Sequence, residues 1–260
     1  MTWETILYER RGAVAILTLN RPERMNSMNI QLQKDVIEAL DEYDADDSVR
    51  ALIFTGGPKV FCAGADVREV ATFTTTAQNQ YFFRLTRTMF HRVEHVGKPV
   101  IAAIGGMALG GGLELALCCD LRVAAEGAKI GLTEVRLGAM PGAGGTQRLP
   151  RLIGPALTKQ LIFTGNPITA EEALQMGIIN YVVPADSLLD KALEVGGVIA
   201  ERAPLALRMA KSCINTALEV DLESGLNYET QCATYLSNTE DQKEGFRAFG
   251  EKRKPEWKGR

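Results

Sequence analysis

Short apolar runs and helical repeats take turns along the first two thirds of the chain. Two strand-like runs, Thr5–Tyr8 and Val14–Leu19, flank a turn at Arg11 and Gly12, which predicts a β-hairpin. A helix is predicted next, because apolar residues recur at helical spacing after Asn29, a residue that suits a helix N-cap.

The pattern continues with a buried strand, Ala51–Thr55, a long helix from about Ala77 to His95 and a second apolar strand, Pro99–Ile104, which leads to a run of glycines. Two further strands are predicted at Leu121–Ala124 and Lys129–Gly131. Strands that alternate with helices in this way predict an α/β fold with crossover connections.

Beyond Gly142 the pattern is mainly helical. Thr169 begins a capping box, Pro204 suits the first turn of a helix, and Thr239 begins a final helix, while Ile178–Val183 is a candidate last strand. A chain of 260 residues has room for a main domain and a small appendage. A helical tail of this kind often supplies an oligomer contact.

Composition and charge narrow the class of protein. With 46% hydrophobic and 23% charged residues, the chain resembles an ordinary soluble globular protein. The formal net charge of -3 argues against nucleic acid as the main partner, and we expect the basic tail, Lys252–Arg260, to be solvated rather than to bind RNA.

Cysteine usage and hydropathy bear on location. Five cysteines, an odd number without paired spacing, predict free thiols in a reducing compartment and no zinc site. Because the sequence has neither a secretory start nor an apolar run of about 20 residues, it predicts a cytoplasmic protein that does not enter a membrane.

The glycines Gly110–Gly112, which precede the helical residues Leu113 to Cys118, are the first candidate for chemistry. Glycine lets a ligand approach the main chain closely. The first amides of a helix are unpaired and lie at the positive end of its dipole, so such a place stabilises an oxyanion. On this run alone, a tight turn without a chemical role is the alternative.

Two carboxylates strengthen the chemical interpretation. Glu114 falls on the first turn of that helix, where it also serves simply as a favourable helix start. Glu134 follows a strand end and precedes a long, apolar, glycine-rich loop. Apolar surroundings raise the pKa of a carboxyl group toward the range of a general acid or base working near neutral pH. Two such groups are able to share one water molecule.

Other catalytic patterns are missing from the sequence. It contains no Gly-x-x-x-x-Gly-Lys motif for phosphate, and Gly142–Gln147 lacks the last glycine of the dinucleotide-binding pattern. His91 and His95 have no carboxylate at metal-ligand spacing and are expected to be surface or packing residues. Ser/His/Asp and Cys/His nucleophile signatures do not occur. The candidate chemistry therefore uses carboxylates and backbone.

Three segments carry a resemblance to a known family. They are Phe61-Cys62-Ala63-Gly64-Ala65-Asp66, Gly110-Gly111-Gly112-Leu113-Glu114-Leu115, and Glu134 followed by Leu137-Gly138 and Pro141-Gly142-Ala143-Gly144-Gly145-Thr146-Gln147-Arg148-Leu149. Together they resemble the enoyl-CoA hydratase/isomerase, or crotonase, superfamily, over nearly the whole chain from Asn20 to Lys252. The sequence resembles the hydratase branch in having both Glu114 and Glu134, since relatives that isomerise, cleave or dehalogenate usually lack one or both.

The resemblance implies a role for particular residues. The backbone amides of Ala65 and Gly111 form an oxyanion hole for a thioester carbonyl, and Glu114 and Glu134 hold a water molecule between them. In hydration, Glu114 helps to take the proton from the attacking water and Glu134 delivers a proton to Cα of the enolate. The roles reverse in dehydration.

The resemblance also implies coenzyme A as part of the substrate, with no separate cofactor and no metal. The residues it assigns to substrate and coenzyme A are Ala63, Gly64, Asp66, Val67 and Arg68, with Phe249 and Lys252 reaching the nucleotide from the tail of a neighbouring subunit.

The implied fold is α/β, a crotonase-like spiral of ββα units with two sheets, followed by a helical C-terminal region for trimerisation. Residues 1–200 hold the core with the catalytic and coenzyme A sites, and residues 201–260 form the oligomerisation region. The implied assembly is a homotrimer or a dimer of trimers.

The resemblance thus implies an enoyl-CoA hydratase, which adds water reversibly and in syn fashion to the 2,3 double bond of a trans-2-enoyl-CoA. The product is a 3-hydroxyacyl-CoA, as in fatty acid or branched-chain acyl-CoA degradation. Two alternatives stay open: an isomerase or dehydratase of a specialised acyl-CoA, and a non-enzymatic acyl-CoA or RNA-binding module. The aromatic segment Thr72–Met89 is a candidate border of the acyl pocket or plain core.

Overall fold

The structure is a computed structural model and describes residues 3–260. Ten strands lie in this part of the chain: β1 (Ile6–Arg11), β2 (Val14–Leu19), β3 (Ala51–Thr55), β4 (Val60–Cys62), β5 (Val100–Ile104), β6 (Met107–Leu109), β7 (Leu121–Ala125), β8 (Lys129–Gly131), β9 (Ile168–Thr169) and β10 (Tyr181–Val183).

The strands form two sheets. The larger has six strands in the order β1-β2-β3-β5-β7-β10, and the smaller has four in the order β4-β6-β8-β9. Neighbours are parallel from β2 to β10 and from β4 to β8. The β1/β2 hairpin and the β8/β9 pair are antiparallel.

Ten α-helices connect and cover these sheets within residues 3–260. They are α1 (Ile30–Ala45), α2 (Val67–Val70), α3 (Thr76–His95), α4 (Gly111–Cys118), α5 (Gly145–Thr164, interrupted at Gly154), α6 (Ala170–Gln175), α7 (Leu188–Ala200), α8 (Pro204–Thr216), α9 (Leu222–Leu236) and α10 (Glu240–Glu251). Short 3-10 turns occupy Pro22–Arg24, Glu134–Leu137 and Ala185–Ser187.

A repeated ββα path relates the two sheets. Three times the chain adds a strand to the large sheet, then a strand to the small sheet, and then enters a helix, at β3-β4-α2, β5-β6-α4 and β7-β8-α5. This arrangement, with helices α8 to α10 at the C-terminal end, confirms the predicted spiral with two sheets and a helical C-terminal region.

One short strand was not predicted. The strand predicted at Pro99–Ile104 leads to Gly105 and Gly106 as expected, but β6 then lies between these glycines and Gly110 to Gly112. The turn before β6 uses Gly105 and Gly106, which press against backbone. A Cβ there would lie 2.2 Å from the oxygen of Gly57 and 1.8 Å from the oxygen of Lys59. Three residues are too few to show a strand period in the sequence.

The predicted helix ends are mostly confirmed. Asn29 caps α1 by accepting a hydrogen bond from the amide of Leu32 at 2.9 Å. Thr169 forms the capping box of α6, Pro204 occupies the first turn of α8, and Thr239 caps α10. These signals depend on one or two neighbouring residues, which is why sequence alone locates them. The last strand is shorter than predicted and spans only Tyr181–Val183.

The central strands of the large sheet are buried on both faces. Every residue of β3 and β5 is buried. One face, represented by Leu52 and Phe54, belongs to the main core with side chains of α1 and α3. The other face, represented by Ile53, packs against Leu188 and Ala192 of α7. Burial on both faces explains why these strands are continuous apolar runs, and it holds the ends of β5 and β7 in a rigid frame.

Candidate active site

Glu114 lies on the first turn of α4, directly after the glycine run. Helix α4 begins there because the amides of Leu113 and Glu114 bond to the carbonyl of Gly110, whose φ of 54° suits glycine. The Glu114 side chain is only 2% exposed. One of its oxygens, Oε1, accepts hydrogen bonds from the amides of Ala143 at 2.9 Å and Gly145 at 2.7 Å.

These contacts set the charge state of Glu114. Burial raises its pKa, while the amides of Gly145 and Ala143 and the positive charge of Arg148 oppose that rise. Hydrogen bonds from amides favour the ionised form of a carboxyl group. Glu114 is thus a buried carboxyl group with a raised pKa, in which amide donors and a nearby positive charge favour the ionised form against the effect of burial.

Glu134 has different surroundings. It begins the 3-10 turn that follows β8, and both of its carboxyl oxygens are buried without a hydrogen-bond partner among residues 3–260. Burial, together with the nearby charge of Glu114, raises the pKa of Glu134 to about 7. The carboxyl group lies against the glycine run, since its Oε1 is 3.3 Å from the position a Cβ on Gly110 would take.

Two free backbone amides lie beside this pair. The amides of Ala65 and Gly111 donate no hydrogen bond within the part of the chain that the structure describes. They belong to segments in close contact, because a Cβ on Gly111 would lie 3.6 Å from the amide nitrogen of Ala65 and a Cβ on Gly64 would lie 3.1 Å from that of Gly111. Gly111 is also the first residue of α4, where the helix dipole is positive. The two donors suit a developing oxyanion.

The Ala65 loop is clamped on both sides of its free amide. Met28 donates its amide to the carbonyl of Gly64 at 2.8 Å, and Asp66 donates its amide to the carbonyl of Met28 at 2.9 Å. The Asp66 carboxylate caps α2 and pairs with Arg21 at 2.9 Å. Burial alone would raise the pKa of Asp66, but Arg21 and the helix amides hold that pKa below its ordinary value. The Asp66 side chain therefore supports the loop from within.

The other residues that the resemblance assigns to coenzyme A lie in two places. At the start of the Ala65 loop Ala63 is partly covered and Gly64 is buried, and Val67 and Arg68 are exposed at the beginning of α2. Phe249 and Lys252 are exposed at the end of α10. No hydrogen bond or ion pair of residues 3–260 links Phe249 or Lys252 with the Ala65 loop.

The basic C-terminal tail is engaged with acidic residues of the same chain. Arg253 pairs with Glu244 and Glu251, and both Lys258 and Arg260 pair with Glu240. Much of its positive charge is thus balanced locally.

The aromatic segment Thr72–Met89 contains both buried and exposed aromatic side chains. Phe82 is buried, as plain core residues are, while Phe83 is half exposed. A carbon of the Phe83 ring lies 3.1 Å from the position of a Cβ on Gly142, in the loop whose amides hold Glu114. Phe83 therefore lies against the loop that holds Glu114, while Phe82 belongs to the buried residues.

Among residues 3–260, no three His, Cys, Asp or Glu side chains are grouped as a metal site would require. His91 and His95 are exposed and stacked on each other, with ring centroids 4.0 Å apart. Within the same range, every helix is too short or too polar to span a bilayer.

Sequence reasoning missed three supporting side chains. Arg21 pairs with Asp66 across 45 positions, and Arg148 pairs with Glu94 across 54 positions. Arg148 lies inside a motif quoted for the family resemblance, but its neighbours in sequence carry no sign of its partner. The only local signal is a glycine-rich loop followed by a basic residue.

The arrangement has defined chemical capacities. Two free amides can stabilise negative charge on a carbonyl oxygen, and two carboxyl groups in unlike environments can act as base and acid on one molecule.

Comparisons with known proteins agree on one family. The model of the enoyl-CoA hydratase/isomerase family matches residues 9–260. A short-chain-enoyl-CoA hydratase from Clostridium acetobutylicum is 42% identical over 257 residues, which cover 98% of each chain. A probable enoyl-CoA hydratase from Mycobacterium tuberculosis is 45% identical over 258 residues, or 99% of each chain. The crystal structure of an enoyl-CoA hydratase from Bacillus anthracis superposes with a TM-score of 0.95 at 44% identity, covering 99% of this chain and 100% of that one.

Proposed function

The chain belongs to the enoyl-CoA hydratase/isomerase family, and from that premise we propose that it is an enoyl-CoA hydratase, a hydro-lyase. Its substrate is a trans-2-enoyl-CoA thioester, and its product is the 3-hydroxyacyl-CoA. The observation that carries this proposal is the pairing of an amide-held carboxylate, Glu114, with a bare, buried carboxyl group, Glu134, beside two free amides.

The two environments assign the two roles. Glu114 accepts amide hydrogen bonds that favour its ionised form, so it is suited to take a proton from the attacking water. Glu134 lacks such donors within residues 3–260, and its pKa of about 7 leaves it protonated in about half of the molecules at pH 7. It is suited to give a proton to Cα.

The oxyanion donors complete the reaction. As water attacks Cβ, negative charge moves to the thioester oxygen, where the amides of Ala65 and Gly111 receive it. One preorganised donor of this kind is typically worth about 10²–10³ in rate. A positioned acid or base adds about 10²–10⁴. Because the charge develops only in the transition state, these groups lower the barrier rather than merely binding the substrate.

Coenzyme A enters this proposal only as part of the substrate, without a separate cofactor or a metal. The main chain of residues 63–68 would hold it, and Phe249 and Lys252 of a second copy would reach its nucleotide. We also assign residues 1–200 to the catalytic core and residues 201–260 to oligomerisation. A cytoplasmic location is part of the proposal, supported by five cysteines that are all free thiols.

A direct assay tests the proposal. Hydration of crotonyl-CoA is followed as the loss of absorbance of the 2-enoyl thioester. We expect turnover by the wild type and a loss of about 10²–10⁴ in kcat for Glu134→Gln and for Glu114→Gln. Glu126→Gln is the matched control, since Glu126 is an exposed glutamate at a turn.

Two results would contradict the proposal. One is an inert wild type, or a wild type whose turnover is unaffected by Glu134→Gln. The other is conversion of 3-enoyl-CoA to 2-enoyl-CoA without formation of 3-hydroxyacyl-CoA, which would instead identify an isomerase.

A further inference from the structure

Arg148 lies between the catalytic loop and helix α3. It stands on the first turn of α5, and its guanidinium group donates to the carbonyl of Ala143 at 3.1 Å. The same group donates two parallel hydrogen bonds to Glu94 of α3, from Nε to Oε1 at 2.9 Å and from Nη2 to Oε2 at 2.6 Å. Two parallel bonds fix both the direction and the distance of the guanidinium plane.

The residue that Arg148 holds is one of the two amide donors to Glu114. Ala143 donates its amide to Oε1 of Glu114 and offers its carbonyl to Arg148. The second donor, Gly145, is three residues before Arg148 on the same helical turn. The Arg148–Glu94 pair is therefore connected to the carboxylate through a single peptide segment.

The backbone of the loop is shaped around the guanidinium group. Gly144 has a φ of 121°, and a Cβ there would lie 1.9 Å from Nη1 of Arg148. The loop thus leaves room for the arginine at a position that only glycine fills without strain.

Two carboxyl groups, those of Glu94 and Glu114, act on the single guanidinium group of Arg148. Burial alone would raise the pKa of Glu94, but the hydrogen bonds and charge of Arg148 hold that pKa below its ordinary value. The Glu114 carboxyl group and the Cys118 thiol both face Arg148 from α4. Arg148 is the positive charge in this group and favours the ionised form of Glu114.

We propose that the Arg148–Glu94 pair is a positioning device for Glu114: it holds the Ala143 and Gly145 amides on one carboxylate oxygen and keeps the other oxygen directed to the reacting water. This inference rests on the proposed function for its catalytic meaning. Arg148 and Glu94 act on Glu114 through the Ala143 peptide, so they are positioning residues rather than catalytic residues.

The test uses substitutions that separate charge from geometry. Arg148→Met removes both, Arg148→Lys keeps the charge but loses the paired hydrogen bonds, and Glu94→Gln removes the anion that orients the guanidinium group. Arg151→Met is the matched control, because Arg151 is an exposed arginine one turn further along α5. Crotonyl-CoA hydration gives kcat and KM, and 13C NMR of protein labelled at the glutamate carboxyl carbons gives the pKa of Glu114, assigned by the signal missing in Glu114→Gln.

We expect Arg148→Met to lower kcat about 10- to 100-fold, since a displacement of about 1 Å at a catalytic group costs up to about 10²-fold. KM for crotonyl-CoA should change less than about threefold, and the pKa of Glu114 should rise, as fewer groups then favour its ionised form. Arg148→Lys should lower kcat with a smaller rise in that pKa. Arg151→Met should match the wild type.

The inference is overturned if Arg148→Met and Arg148→Lys lower only the melting temperature, while kcat and the titration of Glu114 stay as in the wild type. It is also overturned if Arg148→Met lowers kcat without moving the pKa of Glu114. Failure of the proposed function is a separate result, because a wild type that does not hydrate crotonyl-CoA still reports the coupling of Arg148 to Glu114 in the NMR titration.

Discussion

Replacing Glu134 by glutamine should make the protein more stable at pH 8 while removing its activity. Both oxygens of Glu134 are buried without a partner among residues 3–260, so its negative form has little compensation in the folded protein. Glutamine has nearly the same shape and no charge. The substitution therefore removes a cost that the folded protein bears for its chemistry.

The structure gives the size of this effect. The pKa of Glu134 rises from an ordinary value of 4.5 to about 7. At about 1.4 kcal/mol for each pH unit, this corresponds to an upper limit of about 3.5 kcal/mol. Because Glu134 is only partly covered and solvent screens it, we expect about 1–2 kcal/mol.

The sign and the pH window follow from proton linkage. Below pH 4.5 the carboxyl group is protonated in both the folded and the unfolded chain, so glutamic acid and glutamine should differ little. Between 4.5 and about 7 the unfolded chain releases this proton while the folded protein retains it, and the free energy of unfolding falls. Above about 7 the full penalty is present, and the advantage of Glu134→Gln should be constant.

Thermal and urea unfolding at pH 4.5, 6 and 8 measure the effect, with the protomer concentration held constant because subunit association alters apparent stability. A gain of 1 kcal/mol should raise Tm by about 2–4 °C for a chain of this size. Glu126→Gln serves as the control for removing an exposed carboxylate. The reasoning is refuted if the difference between Glu134→Gln and the wild type is the same at all three pH values, or if the variant is less stable at pH 8.

Two further predictions concern packing and assembly. Gly112→Ala should lower the free energy of unfolding by several kcal/mol and reduce the yield of folded protein, because its Cβ would lie 2.0 Å from the carbonyl oxygen of Cys62. Gly197→Ala in α7, where a Cβ meets nothing within 4 Å, should instead stabilise by about 0.5–1 kcal/mol in urea unfolding, and equal effects of the two would contradict the packing argument. Sedimentation equilibrium should show a trimer or a dimer of trimers for the wild type and smaller species for the Ile214→Glu/Leu222→Glu variant, since these apolar side chains on α8 and α9 are 69% and 79% exposed. A monomeric wild type would contradict this prediction.

Several parts of the site were accessible to sequence reasoning because their signals are local. Gly110 to Gly112 lie directly before an apolar helix, and Glu114 falls on its first turn. One short segment therefore predicts an amide donor and a carboxylate together. The environment of Glu134 was partly foreseeable from the apolar loop that follows it. Helix ends at Asn29 and Thr169 were equally readable, since a cap bonds to residues two or three positions away.

Other features depend on segments far apart in the chain. Glu94 and Arg148 meet across 54 positions and Arg21 and Asp66 across 45, and neither residue of a pair indicates the other. Strand β6 spans three residues, fewer than a periodic pattern needs.

The sequence alone predicts the α/β class, the first residues of several helices and the candidate carboxylates, because secondary structure and capping depend on neighbours along the chain. The different surroundings of Glu114 and Glu134, and the support of their loops, come from packing of distant segments. Two identical side chains acquire unlike pKa values because one is given amide donors and the other is buried without partners in residues 3–260.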